Sequence, residues 1–353
     1  MYFCDEKLQL WLMTNKRTTI YDLAKAMNLS ASYISKALNN HPSVREEIRE
    51  KVRAKAKELN YSHNSYAANL RRGSSKTIGV IVPYIRRSFF AKAIAGIEEV
   101  CTNNGYGVII CQSQDSFERE CNAIKTLIRQ NVDAIFISVA AETHTSDHLL
   151  PVIQNGIKII QFDRTIEDFN CAKVMNDNEQ MAYDATMHLI SQGYKKIAYL
   201  GGTQYLAIYR LRKKGYLKAL EEAGLQKFDE FICDNTQKPE ATIEATKKLL
   251  TSGNIPDAFV TVSDEQATHV LLTALDMGFK IPEEIGIIGF GNDETTLITR
   301  PTISSVDQKS FEHGRKVAEL YFEIAEKEKE GSYIDTTEII SANVIARGSS
   351  KRR

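Results

Sequence analysis

The chain has 353 residues, 43% of them hydrophobic and 25% charged, and its formal net charge is zero. That composition supports two or three domains with real cores, and no run approaches the roughly 18 apolar residues of a membrane span. No secretory pattern opens the chain: acidic residues and a very short apolar run stand where a basic segment, a long apolar run and a cleavage site would be.

The zero balance hides an asymmetry. Residues 13–76 carry 13 Lys/Arg against 5 Asp/Glu, a surplus of +8, while the first 12 residues carry −1 and the remaining 277 carry −7. A small basic head on a larger acidic body points to a polyanion-binding domain joined to something else. The six cysteines (Cys4, Cys101, Cys111, Cys121, Cys171 and Cys233) form no C-x-x-C, which suits buried thiols in a reducing cytoplasm.

Residues 1–17 read as an N-terminal extension, a candidate for disorder. "TTIYDLAKAM" then opens a helix, with Thr19 as N-cap, Asp22 three residues on, and Ile20, Leu23, Ala24 and Met27 on one face. After "NLS", Ser30 caps a second helix over about 31–38. Its buried side holds Ile34, Ala37 and Leu38; its other side holds Ser32, Ser35, Lys36 and Asn39. Two helices joined by a tight turn, the second with short polar side chains outward, match a helix-turn-helix. A third helix follows Pro42 and Ser43, with Val44, Ile48, Val52, Ala56 and Leu59 inward. Arg45, Arg49, Arg53 and Lys57 stand outward, able to meet phosphates. Residues 64–72 read as a short helix ending at Gly73. Leu70, between Asn69 and the pair Arg71 and Arg72, reads either as local packing or as an apolar wedge for a minor groove.

This head resembles the DNA-binding head of the lactose/galactose repressor family, through Thr19, Ile20, Asp22, Ala24, Ser30, Ser35, Leu38 and Asn39 in order, and through "ELNYSHNSYAANLRRG" as the hinge. The resemblance implies that Ala31, Ser32 and Lys36 face base edges in the major groove. It implies that Thr19, Ser30, Ser35, Asn39, Arg45 and Asn64 complete the DNA-contacting set, and that Leu70 is levered into the minor groove. Lys36 stands where the family usually has arginine, and His63 where it usually has proline.

From residue 76 onward strand and helix patterns alternate: "TIGVIVP", "FFAKAIAGIEEVCTNNG", "YGVIICQ", "FERECNAIKTLIRQN", "VDAIFISV", "GIKIIQFD", "KKIAYLGG", "IYRLRKKGYLKALEEAG", "PDAFVTVS", "EQATHVLLTALDMG" and "EIGIIGFG". This is a βαβ cadence with more units than one Rossmann sheet holds, so two lobes with a ligand cleft between them are expected. No G-x-G-x-x-G, Walker loop, G-x-S-x-G or H-E-x-x-H occurs, which argues against an enzyme; no catalytic residue, metal or cofactor is expected. His144 and His148 have helical metal-ligand spacing but no third ligand nearby, so a solvated pair is the expectation.

The body is similar to the periplasmic-binding-protein-like, sugar-binding core of the same family, matching at "QFDR", "HLISQGYKKIAYLGG", "IPEEIGIIGF", "RPTISSVDQ" and "ARGSS" among others. The implied fold is an all-α helix-turn-helix head on an α/β two-lobed core with parallel doubly wound sheets. The expected domains are a head at 18–62, a hinge helix and linker at 63–75, and a core at 76–348. Lobe 1 is expected at about 76–161 plus 292–325, and lobe 2 at about 162–291 plus 326–348. The resemblance makes Phe89 and Phe90 an aromatic wall, places Asp163 and Arg164 where the lobes face each other, and makes Arg210 the effector anchor, a surface ion pair being its plain alternative. It gives Asp264 to an acidic motif, and leaves Asn292 to stand in for the acid that Gly291 displaces. With only "KRR" after "ARGSS", a homodimer is expected.

The expected function is that of a cytoplasmic transcription regulator, by family default a repressor. It would bind a double-stranded operator under control of a small effector, a sugar or sugar derivative, with no membrane partner. The alternatives are a solute-binding protein without a DNA role and a nucleobase-responsive regulator.

Overall fold

The computed structural model describes residues 18–61, 74–327 and 336–352. The expected extension at 1–17, and Asn64 and Leu70 of the expected hinge, lie outside the described residues. The chain divides into two compact units at Ser74 and Ser75.

The first unit holds α1 (Ile20–Met27), α2 (Ala31–Leu38) and α3 (Glu46–Glu58). A capping box starts α1: the Thr19 hydroxyl accepts from the Asp22 N–H at 3.3 Å and the Asp22 carboxylate accepts from the Thr19 N–H at 2.8 Å. Asn28 closes the helix in the left-handed region at φ 52°, a conformation asparagine tolerates better than most residues. The Ser30 hydroxyl caps α2 by accepting from the Tyr33 N–H at 3.2 Å. Each such cap stabilises by about 1 kcal/mol. Leu23, Ala24, Ile34, Ala37, Val44, Val52 and Ala56 form the core of this unit, with Ile20, Met27, Leu38, Ile48 and Leu59 packed around it.

The strands of the second unit are β1 (Thr77–Val82), β2 (Gly107–Gln112), β3 (Ala134–Ile137), β4 (Lys158–Phe162), β5 (Ala172–Asn176), β6 (Ile197–Leu200), β7 (Ile232–Cys233), β8 (Ala258–Thr261), β9 (Gly286–Phe290), β10 (Ser304–Asp307), β11 (Thr337–Ile340) and β12 (Asn343–Ile345). Its helices are α4 (Ser88–Asn103), α5 (Phe117–Arg129), α6 (Leu150–Gln154), α7 (Asn178–Ser191), α8 (Ala207–Glu222), α9 (Pro239–Leu250), α10 (Asp264–Asp276), α11 (Thr295–Ile298) and α12 (Ser310–Lys327). Two sheets form, in the orders β11-β5-β4-β3-β1-β2 and β12-β10-β9-β8-β6-β7. Among the described residues every strand pairing is parallel except β10 with β12. Strands covered on both faces need continuous apolar runs, and β1, β3, β6, β8 and β9 are buried almost throughout.

The exchange points between the lobes differ from the sequence expectation. β5 belongs to the first sheet and β10 to the second, so the chain crosses between residues 176 and 178, 307 and 310, and 340 and 343. The expected crossings near 161, 291 and 325 each miss an element. β5 alternates buried and half-buried residues instead of running apolar, and β10 is the polar stretch "SSVD". The three true crossings meet at one side chain: the buried Asn176 amide donates to the Gln308 carbonyl at 3.2 Å and the Ile340 carbonyl at 2.9 Å.

In each lobe one helix pair is drawn together by glycine. A Cβ on Gly314 of α12 would lie 1.9 Å from the Ala93 carbonyl oxygen of α4, and one on Gly215 of α8 would lie 2.0 Å from the Glu179 carbonyl oxygen of α7. Because backbone has no rotamer with which to yield, Gly314→Ala should lower unfolding stability by about 1–3 kcal/mol in denaturant titration. Gly107→Ala, where a Cβ meets nothing within 4 Å, should stay within about 0.5 kcal/mol of wild type. Equal effects would contradict the close packing.

Candidate nucleic-acid interface and effector cleft

On the outer side of α2, Ser32, Lys36 and Asn39 are exposed while Ile34 and Ala37 are buried. The Asn39 amide donates to the Ser35 carbonyl at 2.8 Å, so this pair is internally oriented. Among the described residues Lys36 and Arg45 make no hydrogen bond or ion pair through their side chains and remain available to a ligand. The outward cations of α3 divide differently from the sequence reading. Arg49 is bound to Glu46 at 2.7 Å and to the His41 carbonyl at 3.2 Å, with a side chain only 18% exposed. Arg53 meets Asn40 and Glu46. Among the described residues Arg45 and Lys57 are the members of that set whose side chains make no hydrogen bond or ion pair.

In the second unit the carboxyl ends of the parallel strands converge on a cavity of about 620 Å³ between the lobes. That is the place and size expected for a small-molecule site in an open α/β sheet. Lobe 1 contributes Arg87, Phe89, Phe90, Asp163 and Arg164, and lobe 2 contributes Tyr209, Arg212, Phe290 and Asp293. Phe90 is core-buried and meets Phe89 edge-on at 5.3 Å, so the pair is both core and cavity wall. Asp163 leaves β4 in the left-handed region at φ 57°, a strained setting of the kind that clusters at sites. Arg164 is buried, bound to Asp115, and its Nε has no hydrogen-bond partner among the described residues.

Arg210 lies outside the cavity. It donates to the Gln204 and Tyr205 carbonyls and pairs with Glu167 at 2.9 Å on the surface. The arginine of α8 that lines the cavity is Arg212, which is 4% exposed. Its Nε donates to Asn178 Oδ1 and its Nη1 to the Val262 carbonyl, both at 2.8 Å, and it lies 4.5 Å from the centroid of the Phe290 ring. Two residues on a helix rotate a side chain by about 200°. The signal was in the sequence: Arg212 shares a stripe with Ile208, Tyr216 and Ala219, and a cation in an apolar stripe marks a buried polar site.

Asn292 also faces elsewhere, its side chain held by Arg347 at 2.6 Å and Asp307 at 3.3 Å. Asp293 lines the cavity in its place. The Ser88 hydroxyl approaches that carboxylate, yet Oδ1 stays buried without a hydrogen-bond partner among the described residues. Asp264 lies just behind the cavity, accepting from Ser305 Oγ at 2.7 Å and the Asp293 N–H at 2.8 Å. The "GFG" run explains itself here: a Cβ on Gly289 would lie 2.2 Å from Asp264 Oδ1, and Gly291 takes φ 129°.

His144 and His148 do not form the expected solvated pair. The His148 side chain is 6% exposed, with Nε2 2.8 Å from Oε1 of the fully buried Glu120, which also accepts from Thr143 Oγ1 at 2.7 Å. His144 instead meets Tyr205 of the other lobe at 4.8 Å between ring centroids. Among the described residues no cluster of three or more His, Cys, Asp or Glu could hold a metal, and no helix is long and apolar enough to cross a membrane.

A helix-turn-helix unit joined to a two-lobed core with a cleft defines a ligand-binding regulator architecture. Comparison with known proteins agrees. Residues 19–64 match the family described as bacterial regulatory proteins, lacI family, and residues 75–346 match periplasmic binding proteins and the sugar binding domain of that family. Catabolite control protein A of Priestia megaterium is 32% identical over 318 residues, spanning 90% of this chain and 95% of that protein. The lac repressor dimer bound to operator and the anti-inducer ONPF superposes with a TM-score of 0.84 at 20% identity, covering 96% of this chain and 100% of that one. A transcriptional regulator CelR–cellobiose complex superposes at 0.70 and 21% identity, covering 94% of this chain and 100% of that one. The chain belongs to the LacI family of DNA-binding transcription regulators.

Burial pushes the Asp264 carboxyl up to about 7, against the opposing pull of the Asp293 N–H and the Ser305 hydroxyl. A raised folded pKa means that its contribution to stability is full below the unfolded carboxyl value near 4 and is lost as pH rises through 7. Relative to wild type, Asp264→Asn should therefore gain stability between pH 4 and 7, by up to roughly 1.4 kcal/mol per pH unit in thermal or denaturant unfolding. His313, which burial pushes down to about 4, gives the opposite trend in both proteins and cancels from the difference. Parallel pH curves would contradict the assignment.

Proposed function

We propose that this regulator works as a homodimer in the cytoplasm. Its two heads read a pseudo-palindromic operator, and a sugar or sugar derivative in the cleft sets operator affinity, with repression as the direction. The observation that carries the reading is the cleft itself. It sits at the strand ends between two lobes that exchange the chain three times, so a ligand bridging the lobes changes how they are held. The cellobiose complex of a structural neighbour favours a sugar over a nucleobase. On the DNA side, Ser32 and Lys36 face base edges, while Ser35, Asn39 and Arg45 hold the backbone. Lysine offers a single point charge where arginine would grip guanine bidentately.

Affinity for a duplex selected from a random pool should fall steeply with salt, its log–log slope giving about 0.9 per neutralised phosphate. Lys36→Ala should relax preference at one or two base pairs of that duplex. Uniform weakening on every sequence would make Lys36 a phosphate contact, and absent or salt-independent binding would remove the operator reading.

A further inference from the structure

The charge of the cleft is unevenly distributed, and the imbalance concerns what occupies it. Arg87, Arg164 and Arg212 all act on the same two groups, the Asp163 carboxyl and the Tyr209 hydroxyl. Burial raises the Tyr209 hydroxyl, but these three cations, with a hydrogen bond from Gln237, outweigh it and leave the group below the ordinary tyrosine value. Asp115 pairs with Arg164. Among the described residues no carboxylate comes within the 4.0 Å of an ion pair for Arg87 or Arg212. Among the described residues Arg212 is buried on neutral hydrogen-bond acceptors and an aromatic face, and the Arg87 guanidinium lies 5.0 Å from the centroid of the Tyr84 ring with no side-chain hydrogen bond. Three cations against Asp163 and Asp115 leave this group one positive charge in excess. A buried cation is costly unless an anion meets it, and Arg164 Nε is a further buried donor without a partner.

The same lining also holds acceptors. Asp293 brings a buried carboxylate oxygen without a hydrogen-bond partner among the described residues; Lys92, Glu265 and Glu294 act on it, and Arg86 faces Glu265 at 3.8 Å. Carboxylates of this kind accept from hydroxyl groups and repel anions. The lining therefore offers a cationic group, Arg87, Arg164 and Arg212, and an acceptor, Asp293.

We infer that the effector is an anionic sugar derivative, its phosphoryl or carboxylate group held by Arg87, Arg164 and Arg212 and its hydroxyls read by Asp293. This rests on the effector-cleft reading above and deepens it. Phosphoryl and carboxylate share the chemistry of bidentate recognition by arginine, so binding measurements separate them.

The test is calorimetric titration of the full chain at constant ionic strength with hexose 6-phosphates, hexuronates, the matching free hexoses and inorganic phosphate. At least one anionic hexose should bind ten-fold or more tighter than its neutral counterpart. Arg87→Gln should bring the ratio of anionic to neutral hexose affinity close to one. A phosphate ester alone binding identifies the phosphoryl group, and a hexuronate alone identifies the carboxylate. A neutral hexose binding as tightly as its anionic derivatives overturns the anionic subsite and leaves the effector cleft standing, as does an Arg87→Gln variant with unaltered preference. No binding by any probe counts against the sugar-effector reading itself and removes the subsite with it.

Discussion

The second unit is organised around a buried guanidinium. Arg212 cannot be left without acceptors at 4% exposure, and its acceptors tie the cleft to the crossings between lobes. Its Nε donates to Asn178 Oδ1; the Asn178 amide donates to the Asn176 carbonyl at 3.1 Å; the Asn176 amide donates to Gln308 and Ile340. Each of the three chain crossings contributes to this relay. A group that meets Arg212 in the cleft therefore meets one end of a hydrogen-bond relay that reaches all three crossings.

Around that shell the lobes touch through contacts that are individually weak. Arg86 faces Glu265 at 3.8 Å, Arg210 pairs with Glu167, Lys92 donates to the Asn292 carbonyl at 3.1 Å, and His144 meets Tyr205. Exposed ion pairs of this kind contribute about 0–1 kcal/mol each, so they orient the lobes without locking them. A ligand with contacts to both lobes can then decide between arrangements, because only a difference in affinity for the two can shift their populations. Within each lobe the helix pairs joined through Gly314 and Gly215 pack backbone against backbone.

Most of this was legible in the sequence, for physical reasons. The head could be read nearly residue by residue, since caps at Thr19 and Ser30 and apolar spacing over short helices are local properties. The doubly covered strands announced themselves as apolar runs. What escaped was non-local: β5 and β10 are too polar or too alternating to stand out, so the crossings were placed a strand early. In the cleft, Phe89, Phe90, Asp163 and Arg164 line the cavity as expected from resemblance. Arg210 and Asn292 do not, because adjacent candidates in "YRLR" and "GND" differ only in which way the backbone turns them. Helical phase would have selected Arg212. For Asp293 no sequence signal sufficed, since Gly291 and Asn292 both take positive φ there. The burial of His148 on Glu120 depends on a contact 28 residues apart that spacing does not encode.

The central proposal is that the effector response depends on Arg212 and not on Arg210. Its most direct test is operator affinity, on a duplex selected from a random pool, with and without the sugar derivative that stabilises the full chain most. The account predicts a ligand-induced change of about 5- to 150-fold in wild type and in Arg210→Ala, and none in Arg212→Ala. A full response in Arg212→Ala, with its loss in Arg210→Ala, would contradict it.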